Sequence, residues 1–313
     1  MKAIVLKDFG GVENLVEAVL DKPVVKENEV LVQVKAISIN PVDVKTRAGK
    51  GMSGRLKEID PLIIGWDISG VVVETGSAVT GFAAGDEVFG MVNFPGHGRA
   101  YAEYVTTPEA HLALKPANIS HDEAAAATLA ALTAYQALVS QAKIKAGDKV
   151  LVHSAAGGVG HYTVQIAKHL GAYVIGTSSA ENKDFVLALG ADEHIDYKNQ
   201  KFEEVAKDID FVLDTIGGEN IDRSLEVVKK GGTLISIPSG LAESVTEKAK
   251  TKGINGFFFL VHSNGEDMKS IADLLSKGII KSHVAKTFTF ENLGQAHTQV
   301  ETGKTRGKVV VTI

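Results

Sequence analysis

The sequence predicts an α/β protein in which a barrel-like β domain is followed by a doubly wound parallel sheet. Up to about residue 118 the chain has short alternating segments separated by glycine turns, which is typical of a β barrel. From Ser120 onwards, continuous apolar strands alternate with helices, and this favours a parallel sheet covered on both faces. Residues 150–171 give a strand, a glycine turn and a helix in immediate succession. That stretch indicates a nucleotide site.

The first domain is predicted from short strands along residues 1–119. Residues 29–37 alternate between polar and apolar side chains, as a half-buried strand does. Residues 70–74 and 88–90 are further strands beside glycine turns. Near the C-terminus, the last five residues, VVVTI, are too apolar for a free tail. We therefore expect residues 265–313 to return to the first domain, with a helix at 268–275 and β segments at 284–290 and 309–313.

The second domain is predicted to span residues 120–264. Helices end where glycines follow them, at Gly190 and at Gly231-Gly232. The predicted strands are residues 150–152, 173–176, 194–195, 211–214, 234–237 and 257–261. The predicted helices are residues 159–170, 183–189, 202–207 and 221–229.

Composition excludes several classes of function. The 313 residues carry a net charge of −5, so nucleic acid is not an expected partner. Without cysteine there is neither a disulfide nor a thiolate metal site, and none of the ten histidines has the spacing of a metal motif. Apolar runs are too short for a signal-peptide core or a membrane span. We therefore expect a cytoplasmic protein with no metal ion and no membrane contact.

The glycine turn and the strand after it indicate which nucleotide binds. Residues 155–160 read A-x-G-x-x-G, with Ala155 in the place of the usual first glycine. The next strand ends in Ser178 and Ser179 without a carboxylate, and Lys183 follows on a helix. Hydroxyl donors and an ammonium suit a ribose 2′-phosphate, whereas Glu181 is a feature more typical of NAD sites. The balance favours NADPH over NADH.

Four stretches, taken together, resemble a known family. They are Ile39-Asn40-Pro41-Val42-Asp43 with Arg47-Ala48-Gly49, Gly65-Trp66-Asp67-Ile68-Ser69-Gly70, Leu132-Thr133-Ala134-Tyr135 with the AAGGVG turn, and Asp214-Thr215-Ile216-Gly217-Gly218. With the closing Gly307-Lys308-Val309-Val310-Val311, the whole chain is similar to the zinc-independent quinone oxidoreductase branch of the medium-chain dehydrogenase/reductase superfamily. The resemblance implies a GroES-like substrate domain, a Rossmann NADP-binding domain, a cleft between them, and a homodimer joined near residues 257–261.

The resemblance also implies roles for individual residues. Asn40 would contact the nicotinamide or the substrate, and Gly157, Gly158, Val159 and Gly160, together with Ala155, would form the pyrophosphate turn. Around the adenosine 2′-phosphate it places Ser178, Ser179, Lys183 and Tyr197. The residues implied near the ribose and nicotinamide are Thr215, Ile216, Ile237, Ser239, Phe257, Phe258, Phe259 and Lys308.

The expected reaction is hydride transfer from NADPH to a quinone or to the β-carbon of an α,β-unsaturated carbonyl. Asn40 would orient or polarise the substrate oxygen. The sequence leaves two alternatives open: an alcohol dehydrogenase with a His/Asp/Glu metal site, and an NADPH-binding sensor or structural protein without turnover. Better-known quinone reductases have tyrosines where this chain reads Lys45-Thr46-Arg47-Ala48. The sequence therefore does not predict which quinone or enone is reduced.

Overall fold

The chain folds into two compact units. The computed structural model describes residues 1–238 and 242–313, with the backbone alone for residues 242 and 243. One unit comprises Met1–Leu132 with Val261–Ile313, and the other comprises Thr133–Leu260. Residues 120–132 belong to the first unit because the helix at His121–Ala126 packs on that unit's strands.

The strands form two sheets and a separate hairpin-like pair. In chain order they are β1 (Lys2–Leu6), β2 (Leu15–Val19), β3 (Glu29–Ile39), β4 (Asp67–Thr75), β5 (Glu87–Met91), β6 (Tyr104–Pro108), β7 (Ala113–Leu114), β8 (Lys149–Val152), β9 (Tyr173–Ser178), β10 (Glu193–Asp196), β11 (Ile209–Asp214), β12 (Val228–Ser236), β13 (Asn255–Phe258), β14 (Val284–Thr289) and β15 (Lys308–Thr312).

Helices occur in both units, and α5 to α9 connect the strands of the second unit. In chain order they are α1 (Pro41–Arg47), α2 (Ser53–Leu56), α3 (His121–Ala126), α4 (Leu129–Tyr135), α5 (Gly158–His169), α6 (Lys183–Ala188), α7 (Phe202–Val205), α8 (Glu219–Leu225), α9 (Ala242–Thr251), α10 (Gly265–Ser276) and α11 (Leu293–Glu301). A π-helical segment, Gln136–Gln141, continues α4.

The first unit is built on the long strand β3. Its seven-stranded sheet has the order β14-β15-β3-β4-β5-β7, and β6 pairs with the other end of β3. The apolar residues of β3 are buried along its whole length, and its half-buried positions are the polar residues Glu29, Gln33 and Lys35. Antiparallel pairing joins Val309 of β15 to Ile39 of β3. The C-terminal strand β15 therefore lies in the same sheet as β3.

The second unit is a parallel six-stranded sheet with helices. Its order, β10-β9-β8-β11-β12-β13, places the first strand, β8, between β9 and β11, the second and the fourth strands of the unit in sequence. The apolar strands are buried, with Val150, Val212 and Leu234 fully inaccessible to solvent. This is a doubly wound sheet, and its switch point lies between β8 and β11, where such sheets bind ligands at the carboxyl ends of their strands. The predicted fold class is therefore confirmed.

Two predicted elements differ from the structure. The predicted helix at residues 221–229 is wrong in its second half, because α8 ends at Leu225 and β12 begins at Val228. Val228 is buried and pairs with Ile209, and this tertiary pairing overrides the helical pattern. The last predicted strand, at residues 257–261, is instead Asn255–Phe258, and the N–H of Phe259 adds one more bond, to Ser236 O at 2.9 Å.

Within residues 1–238 and 242–313, no helix has the length and apolar character needed to cross a membrane.

Candidate cofactor and active site

The glycine turn lies at the switch point of the parallel sheet. After β8 the chain passes Ser154, which has a left-handed backbone (φ 52°), and Gly157 N–H donates to Ser154 O at 2.8 Å. Helix α5 then starts with Gly157 as its N-cap residue, which has no side chain to accept the first N–H groups of the helix. Those N–H groups can receive a pyrophosphate instead.

Close packing explains the residues at the two ends of this turn. A Cβ on Gly160 would lie 2.1 Å from Ser154 O and 2.8 Å from Ala155 Cα, so only glycine lets α5 approach the turn this closely. Ala155 replaces the usual first glycine and is fully buried. Room for its methyl group exists because residue 176 on β9 is glycine: a Cβ there would lie 2.9 Å from Ala155 Cβ.

His153 anchors the end of β8 beneath the turn. Its Nδ1 lies 3.1 Å from Thr177 Oγ1, and its Nε2 lies 2.9 Å from Ser224 Oγ. Burial lowers the pKa of His153 to about 4, so the ring is neutral at pH 7. The imidazole therefore ties β8 to β9 and α8 through neutral hydrogen bonds. This role of His153 was not predicted from the sequence.

The residues predicted for the 2′-phosphate meet where β9 and β10 end. Ser178 and Ser179 are buried, whereas Lys183, at the start of α6, and Tyr197 are exposed. The N–H of Tyr197 donates to Ser178 O at 3.2 Å, which brings the two strand ends together. The hydroxyl of Ser179 donates to Glu181 Oε1 at 3.0 Å. A patch of hydroxyl groups, one ammonium and one carboxylate therefore surrounds this strand end.

His194 joins the same strand end. Its Nε2 lies 2.8 Å from Ser178 Oγ, and partial burial lowers the pKa of His194, with a smaller contribution from Lys183. His194 was not predicted as a site residue. Its position in a predicted strand, two residues before the Asp196-Tyr197 pair, was the signal that could have revealed it.

The loop after β11 is shaped by a buried carboxylate. Asp214 Oδ2 accepts from Gly217 N–H at 3.0 Å and from the Ser236 hydroxyl at 2.8 Å, while Oδ1 accepts from Asn220 Nδ2 at 2.9 Å. These bonds fix the turn that carries Thr215 and Ile216. The hydroxyl of Thr215 donates to His153 O at 3.1 Å, and the Ile216 side chain is 55% exposed. The turn is therefore held against β8 while an apolar side chain remains exposed.

Further predicted residues follow the neighbouring strands. The N–H of Ile237, just after β12, donates to Asp214 O at 3.0 Å. Phe257 and Phe258 are half-buried at the end of β13, and Phe259 is buried. Ser239 lies outside the described residues. The structure thus gathers the turn, Ser178, Ser179, Lys183, Tyr197, Thr215, Ile216, Ile237 and the three phenylalanines in the second unit, and their contacts with a cofactor remain a prediction.

Asn40 lies in the first unit, in a buried polar cluster. It is the N-cap residue of α1, and its N–H donates to Asp43 Oδ2 at 2.6 Å. Its side-chain Nδ2 donates to Asp67 Oδ2 at 2.7 Å, and the Lys308 ammonium donates to its Oδ1. Because each side of the amide has a partner of opposite polarity, the orientation of the amide is fixed. The side chain is only 1% exposed.

Burial sets the electrostatics of this cluster. It raises the pKa of Asp43 to about 8, with a further contribution from the charge of Asp67. The pKa of Asp67 is also raised by burial, against the opposing effects of Lys308 and Asn40. Burial lowers the pKa of Lys308. Lys308, which the resemblance places near the cofactor, thus contacts Asn40 and lies close to both carboxylates.

A second buried polar contact involves Arg47, at the end of α1. Arg47 is buried, forms an ion pair with Glu301 and lies 3.5 Å from Nδ1 of His297. Arginine can only donate, so Nδ1 of His297 accepts and Nε2 donates to the Tyr101 hydroxyl at 2.8 Å. Burial, reinforced by Arg47, lowers the pKa of His297 to about 3. Arg47 therefore ties α1 to α11.

Across residues 1–238 and 242–313, no group of three or more His, Cys, Asp or Glu side chains is arranged to hold a metal ion.

Comparison with known proteins identifies the class of this fold and site. The family model described as the alcohol dehydrogenase GroES-like domain matches residues 26–117, and the one described as zinc-binding dehydrogenase matches residues 189–311. The chain is 37% identical to 2-methylene-furan-3-one reductase of Solanum lycopersicum, over 99% of this chain and 79% of that protein. Identity and coverage are the same for the NADPH-dependent alkenal/one oxidoreductase, chloroplastic, of Arabidopsis thaliana.

A solved structure agrees with these relatives. The quinone oxidoreductase from Coxiella burnetii matches with a TM-score of 0.95 and 37% identity, over 100% of this chain and 99% of that one. The chain belongs to the medium-chain dehydrogenase/reductase superfamily, in the branch of quinone and alkenal/one oxidoreductases. The family resemblance in the sequence is thereby confirmed.

Proposed function

We propose that this chain is an NADPH-dependent oxidoreductase that reduces quinones or α,β-unsaturated carbonyls without a metal ion. The observation that carries the proposal is the glycine turn at the switch point, next to a strand end with two serines and Lys183. Relatives at 37% identity include an enzyme described as an NADPH-dependent alkenal/one oxidoreductase. When bound, NADPH would supply a hydride from C4 of its nicotinamide.

The residues present fit this cofactor. Because Gly160 has no Cβ, the start of α5 can lie directly against the turn. The N–H groups at that helix start would hold the pyrophosphate. Ser178, Ser179, Lys183 and Tyr197 would surround the 2′-phosphate, with the Lys183 ammonium as the charged donor. Thr215, Ile216, Ile237 and the phenylalanines of β13 would line the nicotinamide side and exclude water there.

Asn40 would act from a fixed orientation. Lys308 and Asp67 hold its amide at both ends, so it cannot rotate without breaking a buried hydrogen bond. A polar group held in this way stabilises charge on a substrate oxygen at little reorganisation cost. We propose that Asn40 orients the nicotinamide or the substrate, and that Asp67 and Lys308 position Asn40.

Lys183 provides a direct test of the cofactor assignment. Lys183→Ala should lower the preference for NADPH over NADH about tenfold, because a charge-assisted hydrogen bond to the 2′-phosphate is lost. The kcat/KM values with each cofactor measure this preference. Lys201→Ala is the control, because Lys201 is an exposed lysine of the same unit that pairs with Glu204. An unchanged preference in Lys183→Ala would refute the assignment.

One observation favours NADH as a second candidate cofactor. Glu181 accepts the hydroxyl of Ser179, so a carboxylate stands where it could bind ribose hydroxyls. With NADH as cofactor, the wild-type enzyme would show no preference for the phosphorylated form, and Lys183→Ala would change little.

Three further features remain predictions. Metal analysis tests the zinc-free mechanism, and stoichiometric zinc in active protein would favour the alcohol dehydrogenase alternative. A homodimer joined through the edge strand β13 is tested by analytical ultracentrifugation. A cytoplasmic location also stays a prediction, since the Arabidopsis relative is described as chloroplastic.

A further inference from the structure

His194 stands beside the strand end proposed for the 2′-phosphate. Its Nε2 is 2.8 Å from Ser178 Oγ. The Ser178 hydroxyl can donate to Ser179 O, 3.2 Å away, so Nε2 carries the ring proton and donates to Ser178 Oγ. Among the residues that the structure describes, no hydrogen bond to Nδ1 of His194 is found. The ring therefore has one nitrogen engaged at the site and one that can take up a proton.

The charges around the ring come from two elements. Lys183 of α6 disfavours the protonated imidazole, and Asp196 of its own strand β10 favours it. The neighbour on β9, Ser178, is neutral. Partial burial is the largest effect and lowers the pKa of His194 below its usual value, so the ring is neutral at pH 7 in the free protein. A phosphate dianion beside Ser178 would reverse this balance by pairing with the imidazolium.

We propose that His194 is a specificity-determining residue that contacts the ribose 2′-phosphate alongside Lys183 and takes up a proton from solvent when the phosphate binds. This inference rests on the proposed NADPH site and adds a pH dependence to it. Preference for NADPH over NADH should then increase as the pH falls towards the pKa of the bound imidazole.

Two fragments of the cofactor isolate this contact. Adenosine 2′,5′-bisphosphate carries the 2′-phosphate, and 5′-AMP lacks it. Calorimetry on the full chain at about pH 6 and about pH 8 gives both affinities, and buffers of different ionisation enthalpy give the protons taken up. The phosphate itself titrates near pH 6, but it does so equally in wild type and variants.

His194→Gln keeps a hydrogen-bond donor and removes the titration. We expect it to bind the bisphosphate about threefold to fivefold more weakly than wild type at about pH 6, as for a partly exposed ion pair, and about equally at about pH 8. Proton uptake should fall, and 5′-AMP binding should not change. His169→Gln is the control, because His169 is an exposed histidine at the other end of α5.

The outcomes separate this inference from the proposed function. If wild type prefers the bisphosphate and His194→Gln keeps the same pH dependence and proton uptake, the role of His194 is refuted and the NADPH site stands. If wild type shows no preference for the bisphosphate, both fail. If His194→Gln does not fold, the NMR pKa of His194 in wild type decides: it must rise when the bisphosphate binds, and a constant value overturns the proposal.

Discussion

Lys308 is the cation of the buried cluster around Asn40. It is 3% exposed, and both Asp67 and Asp43 near it are fully buried. Its ammonium donates to Asn40 Oδ1 and lies 3.4 Å from Ile39 O. Removing one member of a buried charged group costs more than the whole group contributes, because the remaining charge loses its compensation. The cluster therefore positions Asn40, and removing one of its charged members should destabilise the fold.

Lys308→Met should lower the free energy of unfolding by about 3–5 kcal/mol, because Asp67 is left buried without a cation. Denaturant unfolding measures the change. The exposed Lys304→Met, on the same unit, should change stability by less than about 0.5 kcal/mol. Adding Asp67→Asn to Lys308→Met should recover part of the loss. A double variant less stable than Lys308→Met alone would show that charge compensation is not the cause.

The buried carboxyl group of Asp43 makes the stability of the folded protein depend on pH. Its pKa is about 8 in the folded protein against 3.8 as the ordinary value, so the folded state holds a proton that the unfolded state releases. Stability therefore falls as the pH rises from about 4 to about 8. His153 and His297, whose pKa values are lowered to about 4 and about 3, act in the opposite direction only below pH 6.5.

Asp43→Asn should therefore flatten the stability profile between pH 6.5 and about 8. Over this interval the free energy of unfolding should fall by about 1.5 kcal/mol more in wild type than in the variant, because one buried carboxyl group ionises in wild type. Urea unfolding at several pH values provides the measurement. Parallel profiles for the two proteins would mean that Asp43 is already ionised in the folded state at neutral pH.

At the scale of elements, the contact between the glycine turn and α5 determines the geometry of the pyrophosphate site. A Cβ on Gly160 would overlap backbone atoms of Ser154 and Ala155, whereas a Cβ on Gly157 would lie 2.9 Å from Ser154 Oγ and 3.2 Å from Ser154 O. A side-chain hydroxyl can rotate away from a new methyl group, but a packed backbone cannot. The two glycines therefore differ in what a methyl group would disturb.

Gly160→Ala should destabilise the protein by about 1–3 kcal/mol, as overpacking does, and should weaken NADPH binding by moving the start of α5. Gly157→Ala is the matched comparison and should cost less than about 1 kcal/mol, because Ser154 Oγ can move. Thermal or denaturant unfolding without cofactor compares the two variants. Equal losses of stability would contradict the close-packing explanation.

The sequence predicted those elements whose apolar pattern and turn residues lie within one continuous stretch of the chain. The strand β8, the turn and α5 follow one another in sequence, so the pyrophosphate site was predicted before its geometry was known. The start of β12 was missed because Val228 becomes a strand residue only through its pairing with Ile209. His194 was missed for a related reason: its contact with Ser178 joins two strands whose register the sequence does not specify.

Buried contacts between residues far apart in sequence could not be predicted from the sequence either. Asn40 and Lys308 were both predicted as site residues, but not as partners 268 residues apart. The Arg47–His297 contact joins residues separated by 250 positions. Each depends on which helices and strands pack together, and the sequence pattern gives only their apolar faces.

At the scale of the whole molecule, each unit has its own part in the proposed reaction. The parallel sheet carries the turn, the strand end with Lys183 and His194, and the loop fixed by Asp214. The other unit carries Asn40, held by Asp67 and Lys308. The central claim is that the chain catalyses direct hydride transfer from NADPH to an unsaturated acceptor, with no part played by a metal ion.

The most direct test follows the hydride itself. NADPH carrying deuterium on one or the other face of C4 is supplied to purified wild-type enzyme with a panel of quinones and α,β-unsaturated ketones and aldehydes. Acceptor-dependent NADPH oxidation should occur, and with an enone one of the two labelled cofactors should leave deuterium on the β-carbon of the product. NADPH that is not oxidised with any quinone or enone, or an enone product whose β-carbon has gained hydrogen only from solvent, would contradict the claim.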